Sequence, residues 1–223
     1  MFNWFRRPPS PLVANYRRDT PRRIDRKRLW TDINFIALDA ETTGFLPGQD
    51  RLLSIGLVPV REGNIDVAGR RTWLVQQADA PSNEAVKIHG IAPAESSAGM
   101  PESQVLAELL EVLTGNVIVG HHIGFDVIMI NEALAQHHQT KLRNPLLDTA
   151  ALAGRQIDAF HKTGYVNQRP PSLEEVCSYA NLPIMGRHTA SGDAFTTAQF
   201  FLWLCSRFQI RHHRKLLAGD LFR

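Results

Sequence analysis

The stretch "FIALDAETTGF" at residues 35–45 constrains this chain more than any other. It opens as an apolar run, the signature of a strand buried on both faces, and breaks off in Asp39 and Glu41, one residue apart. On a strand, residues i and i+2 point to one face, so the two carboxylates project together from its end. Each buried ion costs several kcal/mol of desolvation, and the two repel. A divalent cation removes that conflict. Surface acids trailing a strand are the alternative reading, since about half a D-x-E pair is expected by chance from 12 Asp and 10 Glu in 223 residues. The pair needs company before it means anything.

The pattern around it predicts one α/β domain with a mixed sheet. "INFIALD" (33–39), "LLSIGLVPV" (52–60), "TWLVQ" (72–76) and "NVIVG" (116–120) read as strands, the second and third joined through the turn "REGN". "PSNEAVKIHGI" (81–91), "PESQVLAELLEVL" (101–113), "GFDVIMINEALAQH" (124–137), 147–156, "SLEEVCSYANL" (172–182) and "SGDAFTTAQFFLWLCSRF" (191–208) read as helices. No apolar stretch approaches the ~20 residues that span a bilayer, so no membrane partner is expected. "MFNWFRRPPS" lacks the apolar segment of a secretory signal. Cys177 and Cys205 lack metal-ligand spacing and read as reduced and buried, which suits the cytoplasm.

Charge is distributed unevenly. Residues 1–30 hold nine Arg or Lys against two Asp, while the remaining residues hold 16 basic and 20 acidic groups, a net of −4. With "RRPPSP" and little apolar periodicity, 1–30 reads as a basic, extended arm joined to a mildly acidic domain at 31–208. The tail 209–223 is basic and then apolar. The arm is either a device that finds phosphates by counterion release or a solvated leader.

Two further acids sit where elements meet. Asp126 follows "NVIVG" where a helix opens, with apolar flanks; a metal ligand and a helix cap explain it equally well. Asp193 falls in the first turn of the long helix at 191–208, and His188 precedes it by five residues in a loop. A loop histidine can serve as a general base near neutral pH, although such a pair is also a common structural arrangement. If all four acids converge at one sheet edge, their charge of −4 calls for divalent cations, and hard cations prefer carboxylate oxygen. Two such ions, about 3.5–4 Å apart, are the apparatus for attack of water on a phosphodiester.

"DAETTGF" with Asp39 and Glu41, "GHHIGFD" with Asp126, and "HTASGD" with His188 and Asp193 resemble, in order, the three motifs of the DnaQ-like 3′–5′ exonucleases. The match is to the histidine form of the DEDD class, because the tyrosine of the other form would stand at Thr189. "VKIHGI" (86–91) and "LLDTAALA" (146–153) resemble family landmarks, and the likeness runs over roughly 33–206. The resemblance implies a ribonuclease-H-like α/β fold, a five-stranded mixed sheet with helices on both faces. It implies two divalent cations, Mg2+ or Mn2+, held by Asp39, Glu41, Asp126 and Asp193, with His188 as base. Thr42, Ile88, His89 and Phe125 would meet the terminal nucleotide. The implied substrate is a single-stranded or frayed 3′ end of DNA, in repair or proofreading, with RNA ends and an idle binding module as alternatives. A DNA polymerase is an implied partner; the final "GDLF" (219–222) adds a sliding clamp. The second motif departs from the family in one respect: many relatives carry asparagine where this chain has His122.

Overall fold

The computed structural model describes residues 8–77, 90–161 and 169–222. Its centre is β1 (Phe35–Thr42), flanked by antiparallel β2 (Leu52–Arg61) and parallel β5 (Val117–Gly120). Beyond β2, the short β3 (Asn64–Ile65) and β4 (Arg71–Leu74) pair with successive stretches of it. Beyond β5 lies parallel β6 (Leu146–Asp148). The mixed sheet expected from sequence therefore has six strands, not five. β3 is two residues long after the left-handed turn at Glu62 and Gly63, and β6 is three, both too short to carry a period. "LLDTAALA" divides at Asp148, which ends β6 and caps the following helix by accepting from Ala150 N–H at 2.9 Å.

The helices are α1 (Pro11–Asp19), α2 (Pro93–Ser97), α3 (Glu102–Leu113), α4 (Gly124–His138), α5 (Thr149–Gln156), α6 (Leu173–Ala180), α7 (Ala190–His212) and α8 (Ala218–Leu221). Alternation along β1 sorts them into two layers. Phe35 and Ala37 pack with Val58, Val117, Phe200, Phe201 and Leu204 under α5, α6 and α7. Ile36 and Leu38 pack with Leu57, Leu109, Ile130 and Leu134 under α3 and α4. Cys177 and Cys205 are free and buried in the first layer, as expected. Among the described residues no helix is long and apolar enough to cross a membrane.

Both chain ends differ from expectation. Residues 11–19 are not an extended arm but a helix, with Ser10 capping Val13 N–H at 3.4 Å and Pro11 in its first turn. Two buried residues anchor it: Val13, and Tyr16, whose hydroxyl donates to Asn144 Oδ1 at 2.5 Å and accepts from Arg143 N–H at 2.9 Å. Two anchors among nine residues leave no visible period, yet they suffice once α3 supplies the other surface. In the tail, Leu221 of "GDLF" is buried in the first layer, and Ala218 N–H donates to Arg28 C=O at 2.9 Å. The leucine of that segment is therefore part of the core rather than displayed at the surface.

One close approach sets the geometry of the whole. Gly56 on β2 is paired with Asp39, and a Cβ there would lie 2.2 Å from the carbonyl carbon of Ala190 at the start of α7. Gly56→Ala is expected to lower stability by about 3 kcal/mol, the upper end of overpacking, read from the denaturant midpoint; an unchanged midpoint would show that α7 can retreat freely.

Candidate active site

Strand parity gives the first two site residues. Asp39 and Glu41 continue the Phe35–Ala37 face and so emerge on the α7 side. The β1–β2 register slips between Glu41 and Thr42, ending regular pairing at the site. The third residue comes from α7. Thr189 caps that helix, accepting from Gly192 N–H at 3.2 Å. Gly192 itself has no room for a side chain, since a Cβ would lie 2.1 Å from the Gly186 carbonyl oxygen. The tight turn carries Asp193 in beside β1, and one ligand atom from each of Asp39, Glu41 and Asp193 lies within 4.8 Å of the others.

Asp126 arrives from the opposite layer. It sits in the first turn of α4, 8% exposed, and its Oδ1 accepts from Ala40 N–H at 2.9 Å. That bond ties α4 to the end of β1 between the two strand carboxylates. Asp126 is thus beside the cluster but outside the tight group of three.

His188 is held in left-handed backbone at φ +60°, and its N–H donates to Asp193 Oδ2 at 3.2 Å. Thr42, Phe125, Asp39, Glu41 and Asp126 line a cavity of about 400 Å³ together with Phe45, His121 and His122. Thr42 donates its hydroxyl to Gly44 C=O at 2.7 Å, fixing the turn after β1. The Phe125 and Phe45 rings lie 5.7 Å apart, and Phe45 is 74% exposed. Ile88 and His89 lie outside the described residues.

His122 also takes left-handed backbone, at φ +59°, which asparagine tolerates better than most residues. Here it is seated by Asp148, which accepts its N–H at 3.2 Å, and by the Pro171 carbonyl 3.0 Å from its Nε2. His121 Nε2 lies 2.9 Å from the same carbonyl. A carbonyl only accepts, so both Nε2 atoms carry the proton. Burial, reinforced by His122, pushes His121 down to about 4 and keeps it neutral.

Sequence reading missed Arg187. Its Nε donates to Glu174 Oε1 at 2.5 Å, and its Nη1 pairs with Asp193 Oδ2. The residue stands next to His188, yet a lone arginine in a loop carries no spacing signal. Asp193 Oδ1 is buried with no hydrogen-bond partner.

The electrostatics follow from burial. Desolvation pushes Asp39 well up, and Asp126, Asp193 and Glu41 add repulsion. Burial and then Asp193 raise Glu41 to about 7, with Arg187 opposing. Burial raises Asp126 to about 7 against the pull of the backbone amides of Asp126 and Ala40. Asp193 is raised by burial, with Arg187 again opposing. Crowded carboxylates and an orphaned, buried carboxylate oxygen fit a divalent cation, whose hard charge matches this oxygen-only donor set.

A mixed sheet whose central strand ends in paired carboxylates, with two further acids in the first turns of helices, is the frame of the site. The chain belongs to the RNase_T exonuclease family, whose model matches residues 36–201. It is similar to DNA polymerase III subunit epsilon of Aquifex aeolicus, 28% identical over 185 residues that cover 83% of this chain and 87% of the relative. It is equally similar to the PolC-type DNA polymerase III of Thermotoga petrophila, 28% over 193 residues, but spans only 13% of that protein. Among solved structures, Escherichia coli Exonuclease I bound to a dT13 oligonucleotide superposes with a TM-score of 0.65 at 21% identity, over 81% of this chain and 42% of that one. That likeness is one of fold.

The raised carboxylates make a stability prediction. In the unfolded chain Glu41 releases its proton at its ordinary value of 4.5, but in the fold it holds it to about 7. The folded state therefore binds more protons across that window, and stability falls as pH rises through it. The melting temperature of metal-free protein should drop between pH 5 and 8. Mg2+ or Mn2+ should restore most of the loss, and Glu41→Gln should flatten the slope. A melting temperature that rises with pH would contradict the assignment.

Proposed function

We propose that this protein is a 3′–5′ exonuclease that hydrolyses the terminal phosphodiester at a single-stranded or frayed 3′ end of DNA and releases nucleoside 5′-monophosphates. The observation that carries the reading is the meeting of Asp39, Glu41 and Asp193 ligand atoms within 4.8 Å, with Asp126 braced at the same strand end. These four residues would hold two divalent cations, Mg2+ or Mn2+. When bound, the cations supply an acidified attacking water and charge stabilisation at the leaving 3′ oxygen.

The chain's own residues do the rest. His188, on the loop entering α7, takes the proton from water as its oxygen bonds to phosphorus. The phosphorus–O3′ bond breaks with its electron pair staying on O3′, which takes a proton from solvent water and leaves as a 3′-hydroxyl. Phe125 and exposed Phe45 offer apolar faces on which an unpaired terminal base can stack, a contact worth about 1–3 kcal/mol. Thr42 shapes the turn beneath the terminal nucleotide. Arg187 partly neutralises Asp193, so cation entry must compete with an internal counter-charge.

DNA is favoured over RNA because the epsilon and PolC relatives belong to replicative polymerases and the solved neighbour holds a DNA oligonucleotide. A replicative polymerase is the corresponding partner. The packed tail gives no support to a clamp contact through "GDLF".

The test is digestion of a 5′-labelled single strand and its RNA counterpart with Mg2+, Mn2+ or EDTA. The expected result is a metal-dependent ladder that shortens from the 3′ end, faster on DNA. Asp39→Ala with Glu41→Ala should abolish it, and His188→Ala should slow it by roughly 10²–10⁴-fold. No ladder with either metal would sink the reading; a faster RNA ladder would transfer it to RNA ends.

A further inference from the structure

We propose that α1 completes a second site, a groove that binds the phosphodiester backbone of a single strand upstream of the 3′ end. The inference rests on the exonuclease reading for its direction, but the groove stands on its own residues. It has a volume of about 580 Å³ and lies between α1 and the turn after α4. Arg17 and Arg22 come from the N-terminal segment; Gln139, Thr140, Lys141 and Arg143 come from the catalytic domain. Among the described residues no carboxylate lines it.

The groove is built rather than incidental. Arg17 Nη2 donates to Gln139 C=O at 3.1 Å and to Thr140 Oγ1 at 3.0 Å. Arg143 Nη1 donates back to Arg17 C=O at 2.6 Å, and Arg143 Nε is buried without a partner. These bonds spend arginine donors on neutral acceptors, so the positive charge stays uncompensated. Among the described residues none of the four cations pairs with a carboxylate, whereas Arg18, Arg169, Arg187, Arg211 and Arg214 each do. Four like charges gathered on one concave surface repel, and a polyanion is the ligand that relieves them. The domain beyond residue 30 carries a net of −4, so a nucleic acid must find its cations here or in a few such places.

α4 gives the groove its address. Phe125, Ile128, Glu132, Ala135 and Gln139 follow one another at alternating steps of three and four, on one helix face. The stripe starts in the active-site cavity and ends in the groove. Fourteen residues at 1.5 Å each place the two about 21 Å apart, the length of roughly six stacked nucleotides at 3.4 Å. Ile128 is exposed on the way, an apolar surface for bases. The acid on the stripe, Glu132, has its carboxylate engaged by Gly48 N–H at 2.7 Å. A strand with its 3′ end at Asp39 can therefore run along α4 into the cations.

Arg22 and Lys141 are exposed, and neither makes a hydrogen bond or ion pair among the described residues, so reversing them tests the groove without removing a fold contact. The intact chain and its Arg22→Glu/Lys141→Glu variant are titrated in EDTA, by fluorescence anisotropy, with dT12, U12 and dT3. Circular dichroism should give both proteins the same melting temperature. The variant should bind dT12 about ten-fold more weakly, with a salt slope smaller by about 1.4, two contacts at 0.7 each. U12 should lose as much as dT12, because both present the same backbone, and dT3, with only two phosphates, should bind parent and variant alike far more weakly than dT12. Arg22→Lys/Lys141→Arg should bind like the parent. Equal affinity of parent and variant for dT12, a loss confined to one polymer, or displacement of dT12 by polyglutamate of matched charge would each overturn the proposal. Binding in EDTA is independent of hydrolysis: a groove-dependent chain that cuts nothing would defeat the exonuclease reading alone, and a cutting chain indifferent to the reversal would defeat the groove alone.

Discussion

The mutual repulsion of Asp39, Glu41, Asp126 and Asp193 is the constraint on which the rest of the site depends. Two unit charges 4 Å apart repel by about 4 kcal/mol at an effective dielectric near 20, and these four are partly withdrawn from water as well. The fold holds them together by spending rigidity elsewhere. Gly56 and Gly192 allow backbone to approach backbone where no side chain would fit, which seats the start of α7 against β2 and β1. Ala40 N–H holds Asp126, and Arg187 holds Asp193. Each device is local: the two glycines admit the backbone that carries Asp193, while the Ala40 amide and Arg187 each offset part of a carboxylate's charge.

This arrangement also explains why the acids come from three elements rather than one. A strand can place only alternate residues on a face, so β1 supplies Asp39 and Glu41 and nothing between them. The remaining charge must come from helices, and a helix N-terminus is where a carboxylate is least costly. Asp126 and Asp193 each occupy a first turn. They approach from opposite layers of the sheet, so the site forms only when both layers are packed.

The long elements and the acids were legible because their signals are dense. Seven of the eight positions of β1 are apolar or acidic, and the four leucines and one valine buried along α3 and the first turn of α7 are as closely spaced. β3 and β6 were illegible at two and three residues, and α1 was illegible because its two anchors, Val13 and Tyr16, find their partners in Asn144 and α3, far along the chain. Arg187 and the His122 brace escaped for a related reason. What matters at these positions is a bond to Glu174, Asp148 or Pro171, and such pairings have no period in the sequence. The basic composition of residues 1–30 was plain, but composition cannot say that a helix would carry Arg17 to the end of α4.

α4 ties these threads together through the electrostatics of a single helix. Its N-terminus carries partial positive charge and receives Asp126; its C-terminus carries partial negative charge, and there Arg17 bonds the Gln139 carbonyl left open by the left-handed cap. The same dipole thus favours an acid at one end and a base at the other. An acidic end suits cations, and a basic end suits phosphate. Because the helix between them is rigid at 1.5 Å per residue, the separation of the two ends is fixed by its length alone. For a strand gripped in the proposed groove and cut at the proposed site, such a fixed span would set the distance between grip and cut. In this chain the span is a property of one helix and the charges it can tolerate at its ends.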